Sequence, residues 1–396
     1  MTKHAPWDET PLALLQTLVR TPSVNPMGRA DLAGKTGCEH DLSVLLRRLL
    51  AELPGVRVEE QAVAPGRANL IVRYEAPDAR RTLLWDVHQD TVPTAGMTIP
   101  AFEGFTESGR LYGRGACDVK GSMAAMLWAF RRLVRERPRG SASVTLVFTV
   151  DEEYTHTGSS HLAENLPDAR IDLAIVAEPT SLNLVTTHKG AVRWRIQARG
   201  TACHSARPEL GDNAIYRMAR VVSALERLAD EIRLRPPHAV LGAPSLSVGT
   251  VAGGTAANIV PDECVVELDR RVIPGETPET AQRDLIEQLG NLLPESDRGL
   301  VAHEAPWVRM PALSESIDAA TLETMQEAIA GVAMRRPEIV GVPFGTDAGP
   351  LGQAGIPCVV FGPGSIDQAH TKDEWIDTDE VLMAADCYFE LAKALG

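Results

Sequence analysis

Histidines and carboxylates stand directly after apolar runs at four places in this chain. TLLWDV (82–87) leads into His88-Gln89-Asp90, and VTLVFTV (144–150) leads into Asp151-Glu152-Glu153. IDLAIVA (171–177) ends on Glu178 before Pro179, and CVVFGPGS (358–365) leads to His370 in IDQAHTKDE. A further acid, Asp118, sits in the glycine-rich GRGACDVKGS, just ahead of an amphipathic helical stretch. Each alone has an ordinary explanation: a solvated acidic turn, a hydrogen-bonded histidine, an anion at a helix N-terminus. The same accident at four strand ends and one glycine-rich turn is a poor explanation. Two histidines with several carboxylates and no thiolate pair suit zinc, cobalt or manganese better than an iron–sulfur centre.

Three adjacent acids repel one another, so the trio 151–153 needs a reason. His88, Asp118, Glu153, Glu178 and His370 make five ligands, enough for two metals about 3.5–4 Å apart if one carboxylate bridges. Glu152 is then left beside the metals, free to take a proton from water. Neighbouring residues in extended chain point in different directions, so one can ligate while the next serves as base. Asp90, two residues after His88, can accept the other ring N–H and fix the tautomer. The trio reads as a catalytic centre.

The elements that must position these residues are of two kinds. RANLIVRY, TLLWDV, SVTLVFTV, IDLAIVAE and PCVVFG are continuous apolar runs, the pattern of strands buried on both faces. Between them, Leu42, Leu45, Leu46, Leu49 and Leu53 fall on one helical stripe, as do Met123, Met126, Leu127, Phe130 and Val134. Such alternation predicts an α/β fold with a mainly parallel sheet, whose ligands bind outside the carboxyl ends of its strands. The middle of the chain differs. AVRWRIQARG alternates strictly, with Val192, Trp194, Ile196 and Ala198 on one face, which predicts a half-exposed antiparallel strand. A long helix through Ile215–Ile232, the strands PSLSVGTV and ECVVELDRRV, and a helix near 278–293 follow. An inserted α+β domain at 189–298 is therefore expected inside a discontinuous domain made of 1–188 and 299–396.

Composition narrows the partners. The 396 residues, 44% hydrophobic and 23% charged, are those of a soluble globular chain. The formal charge of −14 argues against nucleic-acid or anionic-membrane partners, and an anionic substrate would need a local cation. The start, an acidic pair and a proline before a short amphipathic helix, does not read as a leader, and no apolar run reaches a membrane span. Six scattered cysteines without a C-x-x-C pair indicate neither a disulfide scaffold nor a thiolate zinc site. A reducing cytoplasm is the expected setting. No G-x-S-x-G points to a serine hydrolase, and GRGACDVKG lacks the third glycine of a dinucleotide fingerprint.

HQDTVP, LYGRGACDVKGSMAAM, VDEEYTHTGS, AEPTSL, GTACHSARP and GPGSIDQAHTKDEW, in that order, resemble the co-catalytic zinc family of acetylornithine deacetylase, succinyl-diaminopimelate desuccinylase and carboxypeptidase G. The resemblance spans nearly the whole chain. EPTSL followed by HKG (188–190), and GPGSIDQAH, are most like the acetylornithine deacetylase branch. It implies a catalytic domain with an inserted lid and dimerisation domain, two divalent metals per subunit, and hydrolysis of an N-acyl amino acid or a short peptide. Asp118 would bridge the metals, with His88 and Glu178 on one and Glu153 and His370 on the other. Glu152 would be the base and Asp90 the orienter. His204 of the lid would bind the oxyanion, while Asn258 and Arg271 would grip the substrate carboxylate. The resemblance also implies a homodimer built on the lids, and a cis peptide bond from Asp118 to Val119. A catalytically silent paralogue would be marked by a lost base, but Glu152 is present.

Overall fold

The structure, a computed structural model, describes residues 10–29, 37–166 and 170–396. The acidic pair Asp8 and Glu9 ahead of the first helix lies outside the described residues. The chain divides into two compact units. One takes in the chain up to Thr186 together with Glu315–Val340 and Thr346–Gly396; the other holds Thr187–Ser314 with Gly341–Gly345.

The first unit is built on an eight-stranded sheet. Its order is Val58–Ala64, Arg67–Tyr74, Ser143–Thr149, Thr82–His88, Leu173–Val176, Cys358–Val360, Leu184–His188 and Ile339–Val342. The four central strands, from Ser143–Thr149 to Cys358–Val360, are parallel. Arg67–Tyr74 is a departure from the parallel reading. It runs antiparallel to both neighbours, and a tight turn at Pro65-Gly66, with Gly66 at φ 74, folds it back on Val58–Ala64. The leucine and methionine stripes do form helices, Glu39–Leu50 and Gly121–Glu136, and their apolar faces join one core with Trp85, Leu146 and Phe148. Each such buried aliphatic side chain contributes roughly 1.5–3 kcal/mol. Parallel strands end at the same edge, so the residues that follow Thr82–His88, Ser143–Thr149 and Leu173–Val176 come out together.

The second unit is an antiparallel sheet ordered Ser245–Gly253, Glu263–Val272, Gly190–Arg199 and Val301–His303. The alternation in Gly190–Arg199 has the expected meaning. Val192, Trp194, Ile196 and Ala198 are fully buried against the helices Ala214–Arg233 and Pro278–Leu292. Asn213 caps the first of these helices, accepting the N–H groups of Ile215 and Tyr216. This unit does not stop near residue 298. Val301–His303 and Val308–Met310 both pair with Gly190–Arg199 and carry it to Ser314. Three-residue strands are too short to show a period.

Candidate metal centre

His88 closes its strand, Glu152 and Glu153 lie just beyond Ser143–Thr149, and Glu178 stands two residues after Leu173–Val176. Asp118 comes from the turn Ala116–Lys120 and His370 from the loop after Ile366–Gln368. The first unit brings all six together. Asp118 lies at the middle: Oδ1 is 3.1 Å from His88 Nε2, and Oδ2 is 3.3 Å from His370 Nε2. His88 Nε2 is also 4.0 Å from Glu178 Oε1, and His370 Nε2 is 2.9 Å from Glu153 Oε2. Ligand atoms of His88, Glu152 and Glu178 lie within 4.8 Å of one another, as do those of Asp118, Glu153 and His370. His370 is half exposed at 54% while Asp118, at 8%, is buried, so the centre opens to solvent on the His370 side.

The three adjacent acids have three different positions. Asp151 joins neither group. It takes the left-handed conformation at φ 68, which aspartate tolerates better than most residues, and its carboxylate accepts from Asn25, Thr155 and Thr157 and pairs with Arg67. It braces the turn that sends Glu152 and Glu153 toward the other ligands.

Asp90 is placed differently from the sequence expectation. The ring Nδ1 of His88 is 2.9 Å from the main-chain carbonyl of Asp90 but 3.7 Å from its carboxylate. The tautomer is set by the carbonyl. The carboxylate instead accepts from the main-chain N–H groups of Glu152 at 3.1 Å and Glu153 at 3.0 Å, and from Asn25 Nδ2 at 2.7 Å. Backbone donors outcompete the ring because the acidic turn presents them directly to it.

Two positioning residues were not legible beforehand. Asn25 ties Asp90 to Asp151. Glu374, fully buried, accepts the N–H groups of Gly115, Cys117 and Asp118 at 3.0, 2.8 and 2.9 Å and pairs with Arg114. It holds the Asp118 turn in place, helped by Gly115 at φ 81, where a Cβ would lie 2.7 Å from Thr91. Its position four residues after His370 was the available signal. The Asp118–Val119 peptide bond is cis.

The donor set suits divalent cations. Asp118, Glu152, Glu153 and Glu178 are buried carboxylates crowded round two imidazoles. Burial, then Glu178, pushes the Glu152 carboxyl up; burial, then Asp118, does the same to Glu178 and takes Glu153 to about 7. Hydrogen bonds to Asp118 and Glu153 push His370 up to about 11. Burial would lower His88, but Asp118, Glu152 and Glu178 outweigh it. Buried carboxylates crowded in this way demand positive charge, and oxygen and imidazole donors are what zinc, cobalt and manganese take.

The second unit carries the remaining candidates. His204, exposed on the short strand Cys203–His204, pairs with Ile259, and its Nδ1 accepts the N–H of Ala206. Asn258 adjoins this ribbon, its carbonyl accepting the Ser205 N–H. The fold therefore places His204 and Asn258 side by side. Arg271 stands on Glu263–Val272 with its guanidinium on both oxygens of Asp269, at 2.7 and 3.1 Å.

A profile of peptidase family M20/M25/M40 matches residues 84–394. The chain belongs to that family. Acetylornithine deacetylase of Myxococcus xanthus is 32% identical over 339 residues, 83% of this chain and 84% of that protein. A probable carboxypeptidase of Aspergillus clavatus is 31% identical over 356 residues, 86% and 80% of the two chains. The fold is that of the M20 metallo-carboxypeptidase of Sulfolobus solfataricus, with TM-score 0.78 at 20% identity over 97% of this chain and 99% of that one. As a member of M20/M25/M40, the protein is a metal-dependent hydrolase of linear amide bonds. No described helix is long and apolar enough to cross a membrane.

Proposed function

We propose that the protein removes the acyl group from an N-acyl amino acid, in the manner of an acetylornithine deacetylase, using two divalent ions per subunit. The observation that carries this reading is Asp118, whose two oxygens face one histidine each and so join the two ligand groups. His88 and Glu178 would hold one ion, Glu153 and His370 the other, with zinc the first expectation and cobalt or manganese alternatives. Such ions supply Lewis acidity toward the scissile carbonyl and acidify water. Glu152 accepts the proton of the attacking water and delivers it to the leaving amine. Asp90 keeps the Glu152 and Glu153 backbone in place while this happens. Arg271 and Asn258 bind the free carboxylate of the substrate. The scattered cysteines without a C-x-x-C pair and the formal charge of −14 suit a cytoplasmic enzyme, which cell fractionation would check.

A substrate panel tests the reading. N-acetyl-L-ornithine is expected to turn over faster than N-succinyl-diaminopimelate or a dipeptide series, with activity lost on chelation and regained with zinc or cobalt. Faster cleavage of the dipeptides would instead favour an exopeptidase, the reading supported by the carboxypeptidase relative. Arg271→Ala should lower kcat/KM mainly for substrates with a free carboxylate. Equal loss on the amide-blocked analogue would sink that role.

His204 is proposed to donate to the oxyanion of a partner subunit's reaction in a lid-mediated homodimer. His204→Ala is then expected to lower kcat by about 10²–10³-fold, the worth of one oxyanion donor. Mixing it with Glu152→Gln subunits should restore activity, because half the sites of a mixed dimer regain both residues. Flat activity after verified subunit exchange would rule out sharing.

A further inference from the structure

We infer that His156 is a positioning residue for the Glu152 carboxylate, an inference that rests on the proposed role of Glu152 as base. His156 is buried behind Glu152, at φ 56 and ψ 30, just before the helix Thr157–Glu164. Its backbone is pinned at both ends: its N–H reaches the Asp151 carbonyl at 2.7 Å, and its carbonyl accepts the Ser160 N–H at 3.0 Å. The ring Nδ1 lies 3.2 Å from Asp347 Oδ1 and 3.5 Å from Glu152 Oε1.

Asp347 is itself fixed. Oδ1 accepts from Ser159 Oγ at 2.6 Å and Oδ2 from Thr149 Oγ1 at 2.8 Å, and the residue is 1% exposed. A lone pair on Nδ1 would face two carboxylate oxygens, whereas an N–H there is attracted by both. The ring thus carries its proton on Nδ1, hydrogen-bonded to the rigid Asp347 carboxylate and with Glu152 Oε1 beside it at 3.5 Å. Without it, two buried carboxylates would face each other in a low-dielectric setting, and Glu152 would swing away from Asp347. A carboxylate that must collect and return a proton needs a fixed aim, because displacements of about 1 Å cost rate. The donor atoms of Glu152, His156 and Asp347 also lie within 4.8 Å of one another, close enough to raise a third cation as the rival explanation. Both oxygens of Asp347 already accept hydroxyl protons, Oδ1 from Ser159 and Oδ2 from Thr149, which favours the N–H reading over a cation.

Three measurements test this on the full-length protein. With two metal equivalents bound, His156→Ala is expected to lose about 10–100-fold in kcat, as other partners one shell out do, with KM and metal content unchanged. His156→Asn, whose amide N–H can take the place of Nδ1–H, should recover most of the loss. In the metal-free protein, ¹⁵N spectra of labelled histidine should show a proton on His156 Nδ1, with its resonance moved by Asp347→Asn. Unchanged kcat in His156→Ala, equal losses in the Ala and Asn variants, an unprotonated Nδ1, or a third bound metal lost with His156 would each overturn the inference. An unaltered protein without amidase activity would instead refute the proposed function, and the metal-free spectrum would still test the His156 geometry.

Discussion

Glu152→Gln is expected to leave two metal equivalents in place and to remove turnover by up to about 10⁴-fold, the upper range for a general base. The substitution keeps the side chain's volume and removes its ability to accept and return a proton. The expectation follows from the division of labour in the acidic turn. Asp151 is engaged by Arg67, Asn25 and two threonines, and Glu153 lies 2.9 Å from His370. Glu152 is left facing the centre. Metal content by elemental analysis, read beside kcat on an N-acyl amino acid, decides the matter. A variant with both metals and near-normal kcat would end the case for Glu152 as base.

Asp118→Asn is also expected to be strongly damaging, for a different reason. Its two oxygens lie 3.1 and 3.3 Å from the two histidines, so a neutral amide there removes the charge shared by both ligand groups and leaves an oxygen donor to only one of them. The loss should exceed about 100-fold, since partners one shell further out are already worth 10–100-fold. Unlike the Glu152 variant, this one should also release metal on dialysis. Full retention of both ions would show that Asp118 does not bridge. The pair of variants separates holding the metals from moving the proton.

Much of this centre could be read from residue order, because its signals are local. A continuous apolar run marks a strand within seven or eight residues, and the polar residue that ends it is the one presented at the sheet edge. His88, Glu152, Glu153 and Glu178 were legible in this way, as was the alternation that buries Trp194 in the second sheet.

What the tertiary structure alone decided are matters of partner and direction. Asp90 and Asp151 are equally acidic in sequence, yet one holds the amides of Glu152 and Glu153 and the other braces a turn. Glu374 meets the Asp118 amide across 256 residues of chain, and Asn25 reaches Asp151 across 126. No period or spacing encodes such pairs. A hydrogen bond is settled by tenths of an ångström between segments brought together only by folding. The limit of the second unit at Ser314 has the same origin, because Val301–His303 and Val308–Met310 are strands only by virtue of the edge of Gly190–Arg199 that they complete.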